Sequence, residues 1–258
     1  MSRIFAIAFN TFREAVRDRV LYNLVVFAVL IIGSSLLFGQ ISIGVEKLVL
    51  VNLGLTSISL FGIVIAIFIG IQMVSKEIER RTLYTVLAAR PVSRWEFILG
   101  KEFGLIGTLA VNAFFMAVGF FAALFYLSHK FVHEDAYLLV ALYFILLQFV
   151  LITSLALFFS TFSSPLMSSI FTFALFVIGT FAEDLRGFAA IAGGTAKVVI
   201  TTLAYLVPNF AALNVITQVA HGVAVPARLV LLNSLYVLIY AGAITSAAVL
   251  VFQRRNLK

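Results

Sequence analysis

His129 and His133 stand four residues apart, directly before Glu134 and Asp135. On a helix that spacing would put both imidazoles on one side, where a divalent transition metal could be ligated. A short polar connection between apolar segments has the same composition, needs no metal, and is the expectation here. His221 is isolated and has no assigned role. Gly100-Lys101 carries two letters of a phosphate-binding loop, but Glu102 follows where Ser or Thr is required, and the upstream glycine is missing. No ATP site of that kind is expected on this chain. H-E-x-x-H, D-x-[DN]-x-[DN]-G and G-x-S-x-G are also absent. With no cysteine, disulfide and thiolate chemistry are excluded.

What remains is a concentration of charge. The 258 residues hold 18 basic and 11 acidic side chains, and ten of these fall within residues 75–102. The chain as a whole is 63% hydrophobic with a mean hydropathy of +1.14. A soluble domain needs far more polar surface, so the composition implies an all-α polytopic membrane protein. Six long apolar segments are read at 21–38, 49–73, 103–127, 136–162, 166–182 and 229–252, none containing Asp, Glu, Lys, Arg or His. Their polar residues are neutral, as at Asn52, Asn112, Gln148 and Asn233. Six crossings place both termini on one side. That side carries thirteen Lys and Arg against five on the other, which makes it cytoplasmic. The whole chain, 1–258, reads as one multi-pass domain of a cytoplasmic (inner) membrane.

Two segments outside the six have their own character. Residues 2–18 form an amphipathic helix, with Phe5, Phe9, Phe12 and Val16 on one side and Arg3, Asn10, Arg13, Glu14 and Arg17 on the other. It is suited to lie among lipid headgroups. Residues 185–227 are apolar but interrupted by Gly193, Gly194 and Pro208, and include Lys197. A lysine at the centre of a span costs about 2.5–3.5 kcal/mol. The segment is therefore expected to be an outer re-entrant or interfacial hairpin rather than a seventh span, with Pro208 and Asn209 as candidates for an outer gate.

The charged stretch cannot enter lipid, because ten charges would cost roughly 25–35 kcal/mol. It is nonetheless punctuated like ordered structure. Lys76–Ala89 has neither Gly nor Pro, Glu77 and Arg81 pair at i,i+4, and Leu83, Val86 and Leu87 make an apolar patch. Pro91 ends this helix at Arg90. Ser93-Arg94-Trp95-Glu96 then fits a capping box, with Val92 and Phe97 placed for a hydrophobic staple. The new helix runs into the third apolar segment through Gly100 and Gly104, which, with Gly107, permit close approach of another helix. A short helix, a corner at 91–96 and a lever into the membrane result.

This stretch resembles the signature segment of the ATP-binding-cassette type-2 permease family. The matching features are Glu79-Arg80, Thr82-Leu83, Pro91-Val92-Ser93-Arg94 and Gly100-Lys101. Arg81 replaces a glycine common in the family, which is similar to the branch containing the nitrous-oxide-reductase maturation and gliding-type permeases. The stretches 12–31 and 205–215 resemble that branch too. The resemblance implies an N-terminal elbow helix and a coupling helix at 76–92 on which a separate ATPase docks. Glu77, Glu79, Arg80, Arg81, Leu83, Leu87 and Arg90 would make the contact. It also implies a second permease copy or a related permease, a lipid environment and no nucleic acid, with ATP and Mg held by the partner ATPase. The chain itself is then a non-catalytic subunit.

With no ionisable residue in the six segments, ion-driven transport lacks its usual coupling group, and energy is expected to enter at the charged corner. The function expected is the permease subunit of an ATP-driven exporter, the direction resting on the resemblance. A subunit that transmits force to an outer-side partner without moving solute is the alternative. A membrane-embedded enzyme is a third reading, for which the segments offer only Ser, Thr, Tyr, Asn and Gln.

Overall fold

A computed structural model describes residues 3–18, 44–79, 93–130 and 132–254, and within the first apolar segment positions 22, 25, 26, 28–34 and 37; for 73–79 it describes the backbone alone. Every described regular element is helical. The order is α1 (Arg3–Ala15), α2 (Glu46–Glu79), α3 (Arg94–Ser128), α4 (Tyr137–Ser160), α5 (Pro165–Thr180), α6 (Ala182–Ile191), α7 (Gly194–Leu206), α8 (Ile216–Ala220) and α9 (Ala227–Arg254), with short 3-10 turns at His133–Ala136 and Ala211–Leu213. The described positions between 22 and 37 are also helical.

The long helices form because their residues are apolar almost without interruption, and a backbone in lipid must satisfy its own hydrogen bonds. α4 is the hub. It packs on α2, α3, α5 and α9, and Phe144, Leu151, Ile152 and Ala156 are fully buried. α2 comes close to it because Gly62 leaves the space that the Phe149 ring fills. The outside is as apolar as the inside: Phe114, Phe115, Leu166, Leu231 and Leu238 are all exposed. Such a surface fits a hydrocarbon solvent, not water.

Five stretches are long and apolar enough to cross a membrane: Glu46–Gln72, Arg94–Ser128, His133–Ser160, Gly194–Ala220 and Ala227–Arg254. The pair α5–α6, bent by 59°, would be a sixth if taken as one span. The protein is thus an all-helical polytopic membrane protein, with two departures from the expected segments. α5, read as a span at 166–182, has 16 residues and covers about 24 Å, short of a roughly 30 Å hydrocarbon core. And Gly194–Ala220, read as re-entrant, qualifies on length and composition, although its helix breaks between Leu206 and Ile216.

The two ends of the bundle differ. At one, Lys47 Nζ lies 2.6 Å from Asp135 Oδ1 and ties the start of α2 to the turn before α4, while Asp135 Oδ2 accepts the Val132 N–H at 2.8 Å. His129 stops α3 there in a left-handed conformation (φ 52°), and His133 opens the separate 3-10 turn, so the two histidines share no helix. At the other end α3 begins and α4 and α9 finish. Chain direction alternates between these Asp135 and Arg94 ends.

Candidate functional site: a clamped corner and a buried carboxyl

At the Arg94 end the backbone of Ser93 is extended (φ −73°, ψ 149°), and α3 starts at the next residue. The Glu96 carboxylate folds back to accept the Ser93 N–H at 2.9 Å and the Ser93 hydroxyl at 2.7 Å. This satisfies a donor that a bare helix start would leave open. Arg94 reaches across to α9, where its guanidinium donates to the carbonyls of Phe252 and, at 2.9 Å, Gln253. Those carbonyls belong to the last described turn of α9, and carbonyls toward the C-terminal end of a helix favour a cation. The guanidinium also lies 5.6 Å from the centre of the Phe252 ring, and Phe97 stacks on that ring at 5.9 Å. Phe97 is thereby occupied by α9; its expected staple partner Val92 lies outside the described residues.

The other side of the same turns receives α1. Arg3 faces Glu96 at 3.9 Å, Ile7 lies on Gly100, and Thr11 lies on Gly104. The offset is 93 residues at each pair, so α1 runs parallel to the start of α3. Any Cβ at Gly104 would meet the Ala8 carbonyl oxygen at 2.6 Å, and one at Gly100 would meet Ile7 at the same distance. Small residues are what allow two backbones this near. α1 therefore takes its direction from α3, whereas the sequence suggested a direction set by the lipid surface. It presents Ala8, Thr11 and Ala15 to the protein and leaves Phe5 and Phe9 exposed, their rings stacked at 6.5 Å.

Of the residues assigned to ATPase docking, Arg80, Arg81, Leu83, Leu87 and Arg90 lie outside the described residues, as does Pro91. Glu77 and Glu79 fall on the last turn of α2, whose helix continues past residue 73 to Glu79 without a break.

Pro208 and Asn209 sit where the α6–α7 hairpin rejoins the bundle. The Phe210 N–H donates to the Gly179 carbonyl at 3.0 Å, so the hairpin leaves after α5 and returns at one level. The unpaired backbone of the break is met by side chains. The Tyr236 hydroxyl accepts the Asn209 N–H at 2.8 Å, and the Tyr240 hydroxyl donates to the Leu206 carbonyl at 2.6 Å. Asn233 donates to Ala212, and Gln148, midway along α4, donates to Leu213 at 3.2 Å while accepting from Ser59 at 2.8 Å. Asn209 Oδ1 itself accepts the Ala212 N–H. Irregular backbone at membrane depth persists only where protein supplies such partners.

The sequence reading missed the burial of two neighbouring charged residues, Lys101 at 1% exposed and Glu102. Glu102 was placed one position before the third apolar segment, yet it is 6% exposed. Its Oε1 accepts from Ser154 at 2.6 Å and from Thr245 at 3.0 Å, and its Oε2 lies 2.9 Å from the same Thr245 oxygen. Eight residues into α3, it stands about 12 Å along the axis from Arg94. The apolar segment 103–127 holds no ionisable residue, as read, but the buried part of α3 begins before it: the first two turns after Arg94 are already packed against α1, α4 and α9. The signal was present in the sequence. Trp95, Leu99, Glu102 and Ile106 recur at helical spacing, which puts an acid on an apolar stripe.

Among the described residues, no cluster of three or more His, Cys, Asp or Glu could hold a metal. The bundle as a whole is built to sit in lipid, to join its helices at a capped corner, and to carry polar groups inside. No curated protein matches the chain. A family model described as "ABC-2 family transporter protein" matches residues 5–257. With nearly the whole chain covered, this multi-pass membrane protein belongs to the ABC-2 transporter family.

Proposed function

We propose that the chain is the permease subunit through which a separate ABC ATPase drives export across the cytoplasmic membrane. Two copies, or this chain and a related permease, would frame the pathway, with the termini on the ATPase side. ATP and Mg are bound by the partner. The ATPase docks on the charged connection, using Glu77, Glu79, Arg80, Arg81 and Arg90 with Leu83 and Leu87 as the apolar contact.

The observation that carries this reading is α3. It is one helix of 35 residues that starts at the Ser93–Glu96 cap and runs the length of the bundle. Its first turns are fixed to α1 by glycine contacts and to α9 by Arg94. A displacement delivered at the corner would move α3 together with both neighbours, because packed helices shift as units. The break at 207–215 lies against α4 and α9, where such a shift would be felt.

The test is copurification. Exchanging Glu79 and Arg80 for alanine should weaken recovery of the ATPase with the permease at least about tenfold, the usual consequence of losing charged anchors, with membrane insertion unchanged. Undiminished recovery would remove the docking assignment.

A further inference from the structure

Between α3 and α9 runs a cleft of about 600 Å³, and Val150 of α4 forms part of its floor. Its walls are apolar: Leu99, Phe103 and Ile106 on one side, Leu238 and Val249 on the other. One ionisable group, Glu102, opens into it, beside Thr245. A cavity of this size takes a drug-sized molecule or a single alkyl chain. The apolar walls select for hydrocarbon; the carboxyl makes a further demand.

That demand follows from counting hydrogens. An ionised carboxylate offers about four acceptor positions. Its partners among the described residues are two hydroxyls, each with one hydrogen. Both hydroxyls also lie within reach of their own i−4 carbonyls, Ser154 at 2.9 Å from Val150 and Thr245 at 2.8 Å from Ala241. At most two positions are filled, and a buried carboxyl so short of donors stays ionised only when a positive charge meets it. Among the described residues, the two basic side chains of these first turns of α3 make other contacts. Lys101 Nζ lies over the Phe97 ring at 5.6 Å, and Arg94 is on the α9 carbonyls. The complement of this site is an alkyl chain ending in an ammonium.

We propose that the α3–α9 cleft binds a single-chain amphiphile with a cationic head, the ammonium on Glu102 and the chain along the apolar walls. This goes beyond the coupling function and does not depend on it, since binding is read with no ATPase present.

The reporter is built in. Trp95 lines the mouth of the cleft and is the single tryptophan of the chain. The full-length protein in phosphatidylcholine nanodiscs would be titrated with 8-bromooctylamine, with 8-bromooctanol as the uncharged control, and quenching of Trp95 followed. The wild type should show saturable quenching by the amine at about tenfold lower concentration than by the alcohol, the effect of one charge-assisted contact. Glu102→Gln should bring the two probes together. Gly242→Leu puts a branched side chain into the cleft at a position where an added Cβ meets nothing within 4 Å; the saturable phase should weaken or vanish for both probes. Quenching from the bilayer is common to all variants and cancels. The proposal falls if the wild type does not distinguish amine from alcohol, as a permanently protonated acid would predict. It falls equally if Glu102→Gln keeps the preference. Should that variant fail to insert, Gly242→Leu decides: a persisting amine preference would place the cation elsewhere.

Discussion

The corner at Arg94 and the break at 207–215 are both places where a helix ends inside a packed bundle, and they are held in opposite ways. At the corner the backbones touch, and charged side chains take up the open groups: Glu96 on the Ser93 N–H, Arg94 on the α9 carbonyls. At the break, neutral side chains from α4 and α9 reach across to single carbonyls or N–H groups. The difference follows from solvent. Near the end of the bundle a charge can keep part of its hydration, whereas midway along α4 only neutral partners avoid the cost of burying charge. Contact through backbone also resists displacement more than contact through a long, rotatable side chain. The corner is thus suited to transmit motion, and the break to yield to it.

The sharpest way to break this contrast is Gly104→Leu. The added side chain has no path except through the Ala8 carbonyl and Thr11, so α1 must separate from α3. A loss of about 3 kcal/mol is expected, at the upper end of overpacking effects, read as a lowered unfolding midpoint in mild detergent. Gly242→Leu, with open space around it, should leave the midpoint unchanged. If both behave alike, the close approach of α1 is not what stabilises the corner.

The corner was more legible than the break because it is local. Ser93 and Glu96 are three residues apart, and a capping box can be read at that range. Pro208 and the glycines at 193–194 announce an interruption in the same way. What the sequence could not show is which distant side chains would meet the interrupted backbone, since Gln148, Asn233, Tyr236 and Tyr240 come from elements far along the chain. Glu102 was missed for a different reason. A hydropathy window ends where charge begins, so it bounds the third apolar segment at residue 103, although the helix itself is read from the Ser93 cap onward and carries Glu102 into the packed region. The apolar side of α1 was legible, but the small residues through which it meets α3 were not. With Gly100 and Gly104 opposite, the small ones pack, and Phe5 and Phe9 are left facing outward.

Gln148→Leu probes the break with a smaller effect. The substitution leaves the Leu213 carbonyl and the Ser59 hydroxyl without this partner, at a cost of about 1 kcal/mol, in keeping with interhelical hydrogen bonds in membranes. The more telling readout is local. Amide exchange at 209–216 should accelerate, while that of the first turns of α3 stays as it was. Acceleration at both would mean that the two regions open as one unit and that the contrast drawn between them is wrong.

The smallest effect should come from Arg3→Ala. Arg3 and Glu96 are 3.9 Å apart, and the Arg3 side chain is 58% exposed. Solvent screens such a pair, and ordering the long arginine offsets most of the remaining attraction. The unfolding midpoint should move by no more than about 1 °C, and salt should make no further difference. A clear drop would mean that α1 is held by charge after all. The glycine contacts at residues 100 and 104 would then follow from the α1–α3 register instead of setting it, and Gly104→Leu would have to be reread as a loss of that ion pair.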